Sequence, residues 1–217
     1  MIEIKKGREP RELIEYRKSK FASYDDMPHQ VKEVVLDALM QEQGHLCAYC
    51  MKRIPQTKGN PPVSIEHWEA QSSHPDKELD YRNMLAVCSG NRGCGCHDDL
   101  TCDAKRGNIP LTVNPTIPST LIGIKYNSDG RISSTNEAVN HDLNDVLNLN
   151  SNVYLVPARK GALERLIQHV NKTYSGGDFL QHCTKIRDKI LSVRDKKYEF
   201  LGILLWWLEK RIKRSER

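Results

Sequence analysis

No stretch of the 217-residue sequence approaches the ~18 consecutive apolar residues of a membrane span. The N-terminus, Met1-Ile2-Glu3-Ile4-Lys5-Lys6, lacks the apolar core of a secretory signal. These absences lead us to expect a cytoplasmic protein with no membrane partner. In a reducing cytosol, its seven cysteines serve as metal ligands or thiols, not disulfides. Internal repeats and low-complexity tracts are also missing, which excludes a solenoid. The middle of the chain lacks net positive charge. Residues 1–20 hold seven Lys/Arg against four Asp/Glu, and residues 185–217 hold eleven against five, whereas 21–184 hold 15 against 19. Attraction to phosphate therefore comes from the two ends or from a partner.

The length allows one ample domain, or a small catalytic module plus a helical one. The pattern favours the second, as an N-terminal extension (1–27), a cysteine-rich core (28–118) and a hairpin with a helical C-terminal domain (119–217). Residues 1–26 show scattered charge and little periodicity, so they read as weakly structured. Val31, Val34, Val35, Ala38 and Leu39 recur at helical spacing, which predicts a helix from Pro28 to Gln43, stopped by Gly44. Residues 55–62 read as a loop and Val63–Trp68 as a short strand. Gln71–Asp80 is polar and loop-like, and Tyr81–Val87 is expected to include a short turn or helix ahead of Cys88. A Gly-rich insertion spans 89–101, and a short helix is expected over Cys102–Asn108. Ile122–Tyr126 and Arg131-Ile132 flank an Asp-Gly turn, the mark of a hairpin. Helices are expected near 152–173, 177–197 and 198–214, with Gly176-Gly177 as a break. The apolar block Leu201–Leu208 reads either as a buried helix or as a docking face carrying Trp206 and Trp207.

What the sequence does hold is a run of metal-type residues between Cys47 and Lys105. Cys47-Ala-Tyr-Cys50 can supply two corners of a zinc tetrahedron. Cys88 and Cys102, which flank the insertion, are the chosen other half, with Cys94, Cys96 and His97 as competitors. Cys183, alone on a helix, reads as a small core residue. Phosphodiester hydrolysis needs a base, a cation and a frame holding both in line. His67 suits the base, since its ordinary pKa lies near neutrality. Glu66 and Asp103 offer hard oxygens for Mg²⁺ or Mn²⁺. Neighbours on a strand point to opposite faces, so Glu66 and His67 meet one ion where the strand bends. Asn83 can fix the His67 ring or the loop that holds it. Lys105 and Arg106 are candidates to touch substrate phosphate, and Trp68 for core packing or base stacking.

In this order the residues resemble the HNH (ββα-metal) endonucleases. Glu66-His67 and Asn83 match that pattern, while Asp103 stands where a His often follows the last Cys. Leu85-Ala-Val-Cys88, Cys102-Asp-Ala-Lys-Arg-Gly107 and Leu147-Asn-Leu-Asn150 are similar to the PtuB-type nucleases of Septu and retron antiphage systems. The resemblance implies an α+β fold, a zinc-stabilised ββα-metal core followed by a mainly helical domain. It implies a structural Zn²⁺, a catalytic Mg²⁺ or Mn²⁺, and a toxic effector that cuts nucleic acid. Implied partners are an ABC/SMC-type (PtuA-like) ATPase and, in a retron, a reverse transcriptase with its RNA–DNA product. Two other readings stay open: an RNA nuclease, for example on tRNA, with the same chemistry, or a zinc module that only binds nucleic acid or protein.

Overall fold

The computed structural model describes residues 1–55, 63–93 and 96–214. Most of the expected loop at 55–62 lies outside the described residues, as does Cys94. Helices and two small sheets make a mixed α+β architecture. Buried apolar side chains from Met1 to Ile212 belong to one cluster.

The first correction concerns residues 1–26, where helix α1 spans Arg11–Tyr16. Met1, Ile4 and Leu13 are buried, and the Ile4 N–H donates to the Pro115 carbonyl at 2.8 Å. These apolar residues are too sparse for a local period, and tertiary packing orders them. Helix α2 spans His29–Gln43, with Pro28 just before it. Gly44 closes it at φ 65°, and the His45 N–H returns to the Met40 carbonyl at 2.8 Å. This left-handed ending favours glycine and satisfies carbonyls that the helix leaves unpaired. The buried face is Val35, Leu39 and Met40, while Val34 is 36% exposed. Gln43 at the helix end donates to the Leu46 and Ala86 carbonyls, both at 2.8 Å, and accepts from the Ala86 N–H.

Ala86 lies on β2 (Met84–Cys88), which pairs antiparallel with β1 (Val63–His67). The register sets Val63 opposite Cys88 and His67 opposite Met84. The short turn expected within Tyr81–Val87 is a 3₁₀ turn at Tyr81–Asn83, and the strand that follows it was not expected. A continuous apolar run such as Met84–Val87 is buried on both sides, and periodicity alone cannot type it. Helix α3 (Cys102–Arg106) packs on β2 and completes a ββα unit.

The hairpin is present as β3 (Ile124–Tyr126) and β4 (Ile132–Ser134), closed by the Asn127 N–H on the Arg131 carbonyl at 2.9 Å. Helix α4 (Glu137–His141) starts on Asn136, whose side chain accepts from the Val139 N–H, and runs into a π-helical turn at Asp142–Val146. The long helices are α5 (Leu155–Thr173), α6 (Phe179–Ser192) and α7 (Leu201–Arg214). Leu201, Ile203, Leu204, Trp207 and Leu208 of α7 are buried, with Trp207 only 5% exposed. Trp206 is half-buried under the Lys210 ammonium. The apolar block is therefore mainly core. Burying each such Leu contributes roughly 1.5–3 kcal/mol. Cys183 is buried, as expected of a small core residue. No helix among the described residues is long and apolar enough to cross a membrane.

Candidate active site and metal centre

The turn at Cys47–Cys50 is held by backbone bonds. The Cys47 N–H donates to the Lys52 carbonyl at 2.9 Å, and the Ala48 N–H to the Ala86 carbonyl at 3.1 Å. Across from it stand Cys88, the last residue of β2, and Cys102, the first of α3. The four sulfurs lie within 4.8 Å of one another. Cys47 to Cys102 is 3.8 Å, Cys50 to Cys88 is 3.7 Å, and Cys88 to Cys102 is 3.9 Å. These separations are far too long for a disulfide. A tetrahedron with metal–sulfur bonds of ~2.3 Å needs sulfurs about 3.8 Å apart, so the cluster has the size of such a site. Hydrogen bonds to Cys47, Cys50 and Cys88, with burial, push the Cys102 thiol up, while bonds from Cys102, Cys47 and Cys50 pull Cys88 down. Of the competitors, Cys96 and His97 are exposed and outside the cluster, and Cys94 lies outside the described residues.

Two devices bring Cys88 and Cys102 together. Gly90 sits at φ +57°, and a Cβ there would lie 2.1 Å from the Thr101 carbonyl oxygen, so only glycine lets the base of the insertion close. The Leu147–Asn150 stretch wraps the other side. The Leu147 carbonyl accepts the Cys102 N–H at 2.8 Å. Asn148 Nδ2 donates to the carbonyls of Asp98 and Leu100, both at 2.9 Å, and Asn150 Nδ2 to that of Ile132 at 2.8 Å. Both leucines are buried.

Beside the cluster is a cavity of about 410 Å³, lined by Glu66, His67, Arg92, Asp103, Gly107 and Asn108 among others. The strand does bend where the chemistry requires it. His67 ends β1, and residues 68 and 69 form a bend, so Glu66 and His67 line one space despite being neighbours. His67 Nε2 is 2.8 Å from the Glu78 carbonyl. A carbonyl only accepts, so Nε2 carries the proton and Nδ1 of the neutral ring is left to take one. Burial holds the His67 pKa below its ordinary value, against the Glu78 hydrogen bond, so the ring is neutral at pH 7. The Tyr24 ring meets it edge-on at 4.5 Å.

Glu66 is buried, and its Oε1 accepts from the Tyr49 hydroxyl at 2.9 Å and from Arg106 Nη1. Burial, then the charge and hydrogen bond of Asp103, push its pKa up to about 8, against Arg106 and Tyr49. Two carboxylates thus face one cavity at a cost that a bound cation relieves. Their oxygens suit a hard divalent ion.

Other candidates lie elsewhere than expected. Arg106 is buried, and its guanidinium also donates to the carbonyls of Ile109, His67 and Trp68, at 2.8, 3.2 and 2.6 Å. It forms the wall behind Glu66, so phosphate contact by this side chain is corrected to an internal role. Arg106 is buried because each arm of its fork finds an acceptor: Nε the Ile109 carbonyl, Nη1 Glu66 and the His67 carbonyl on β1, and Nη2 the Trp68 carbonyl just after it. Lys105 pairs loosely with Asp98 at 3.8 Å and does not line the cavity. Among the described residues, the cation that does is Arg92, 2.8 Å from Asp103. Asn83 fixes the loop, not the ring: it accepts from the Glu69 N–H at 2.7 Å and donates to the carbonyls of Glu69 and Lys77 at 3.0 and 3.2 Å. Trp68 is half-buried, its indole N–H on the Val113 carbonyl at 2.8 Å.

No protein-family profile matches the chain. A protein of Vibrio cholerae serotype O1 biovar El Tor, named as a candidate HNH endonuclease of retron Vc95, is 30% identical over 189 residues. That match covers 80% of this chain and 87% of the relative.

Proposed function

The chain belongs to the HNH endonuclease family, and from that premise we propose that it hydrolyses phosphodiester bonds of nucleic acid with a divalent metal. The observation that carries the reading is the shared cavity of Glu66, His67 and Asp103, set against four clustered cysteines. A module that only binds a partner has no need of two carboxylates and a neutral imidazole in one space.

In this reading Cys47, Cys50, Cys88 and Cys102 hold a structural Zn²⁺ that joins β2, the Cys47 turn and α3. His67 Nδ1 takes the proton of the attacking water while the Glu78 carbonyl holds Nε2–H and the ring orientation. Glu66 and Asp103 hold Mg²⁺ or Mn²⁺, which when bound supplies charge stabilisation at the phosphate and the leaving oxygen. Asn83 keeps the loop after β1 in place. Arg92 reaches from Asp103 toward a substrate phosphate. The α+β core is thus a ββα-metal nuclease followed by helices.

The finer assignment is to the PtuB-type nucleases, as the toxic effector of an antiphage complex with an ABC/SMC-type ATPase. The motifs at Leu85–Cys88, Cys102–Gly107 and Leu147–Asn150 support it, as does the retron in the relative's name. The negative charge of residues 21–184 suits an enzyme that meets nucleic acid weakly until a partner delivers it. The test is a cleavage assay with Mg²⁺ or Mn²⁺ on duplex DNA, single-stranded DNA and tRNA, using the protein alone and co-expressed with the products of neighbouring genes. Metal-dependent internal cuts in any of them support the reading. No cleavage in any arm removes it.

A further inference from the structure

The buried face of α5 consists of Leu155, Arg159, Ala162, Leu163, Leu166 and Val170. Arg159 is the charge in this otherwise apolar face, and it is 2% exposed. Its Nη2 donates to the Leu149 carbonyl, but Nε and Nη1 have no hydrogen-bond partner among the described residues. Leu155 and Ala158, on the same stretch of α5, line one cavity with Cys88, Gly90 and Thr101. The charges of Tyr126, Cys50 and Cys102 act favourably on Arg159, while the buried Met1 ammonium is a like-charged neighbour. A short backbone step makes the link: the Leu147 carbonyl takes the Cys102 N–H, and the Leu149 carbonyl takes Arg159.

A buried guanidinium without a counter-charge is strongly unfavourable. Four thiolates around a divalent ion carry a net dianionic charge, which is also unfavourable in a buried site. We infer that Arg159 is the internal counter-cation of the four-cysteine metal centre, and that each charge compensates the other. This inference rests on the metal reading above. Its consequence is specific to charge. Arg159 offsets the negative charge of the metal-loaded centre, so it raises metal affinity and slows metal loss. Its side chain lies outside the cavity of Glu66 and His67.

The test is competition between zinc-loaded full-length protein and a chelating zinc indicator, with zinc release as the readout. Arg159→Met and Arg159→Gln are expected to weaken zinc binding about 10–100-fold, the range typical of groups that support metal ligands. Arg159→Lys, which keeps the charge, is expected to stay closer to wild type than either. Leu163→Ala, on the same buried face, controls for lost packing and is expected to lower the melting temperature with less zinc release. If Arg159→Met fails to fold, Arg159→Gln against Arg159→Lys decides. Neutral variants that hold zinc as wild type does overturn the inference. So does zinc loss that tracks melting temperature alike in Leu163→Ala and the Arg159 variants. Wild-type protein that binds no zinc removes the metal reading itself, which is a distinguishable failure.

Discussion

Tyr49 donates a 2.9 Å hydrogen bond from its hydroxyl to Oε1 of Glu66. Tyr49 lies between the cysteines of Cys47-Ala-Tyr-Cys50, so the residue that shapes the metal turn also touches the buried carboxylate of the cavity. Tyr49→Phe keeps the ring and removes the bond. The expected cost is about 1 kcal/mol of stability. Because this hydrogen bond lowers the Glu66 pKa, its loss should also weaken Mg²⁺ binding at pH 7 by a few-fold, with zinc retained. Calorimetric titration with Mg²⁺ checks this, and unchanged affinity contradicts it.

Arg106 tests the internal role against the substrate-facing one. Arg106→Met leaves Glu66 without its cation and strips three carbonyls of a donor. The expected destabilisation is about 3–5 kcal/mol, read as a lower urea midpoint. Arg106→Lys should not restore it, because a single ammonium cannot reach acceptors spread around a planar fork. A residue that merely touched phosphate would leave the midpoint almost unmoved.

The chemistry was more legible in the sequence than its support. Cys-x-x-Cys and Glu66-His67 were readable because each is a local pattern, its functional side chains adjacent or within one turn of each other in the sequence. Cys88 and Cys102 followed from their places around the insertion. The groups that orient His67 were not readable: the Glu78 carbonyl has no side-chain signature, and Tyr24 arrives by tertiary packing. Arg106 looked substrate-facing because α3 spans only five residues, too few to reveal its inner face. Arg92 was hidden in a Gly-rich loop whose closure depends on Gly90. In the fold, helices with long periodic patterns were close to their expected positions. The short helix α1 and strand β2 were missed because partners far along the chain order them.

Divalent-metal binding should depend on pH with a definite sign. Glu66 titrates near 8 in the folded protein, against an ordinary value of 4.5. The raised value means that folded, metal-free protein prefers the protonated acid, so its stability falls as pH rises from 4.5 toward 8. Mg²⁺ binds the ionised form and must displace that proton below pH 8. Affinity should therefore climb between pH 6 and about 8 and then level off, with proton release. Titrations in two buffers of different ionisation heat measure the release. Affinity that is flat over this range contradicts the assignment of Glu66 as a ligand.

Zinc should be separable from the catalytic ion. Elemental analysis is expected to find about one tightly bound zinc per chain, as for a closed four-thiolate site. Cys47→Ser and Cys50→Ser should lose it and yield insoluble or unfolded protein, since metal binding of this kind drives folding. Mild EDTA treatment should stop cleavage before it unfolds the protein. Soluble, folded protein with no zinc contradicts the structural role.

The most direct test of the whole account is His67→Ala. Cleavage by the variant and by wild type is compared at equal protein concentration in Mg²⁺ or Mn²⁺, with zinc content and melting temperature measured on the same samples. His67 is proposed to take the water proton on Nδ1, so the account predicts a loss of about a hundredfold or more, with zinc content unchanged. Cleavage within a few-fold of wild type, from a variant that is folded and zinc-loaded, would contradict it.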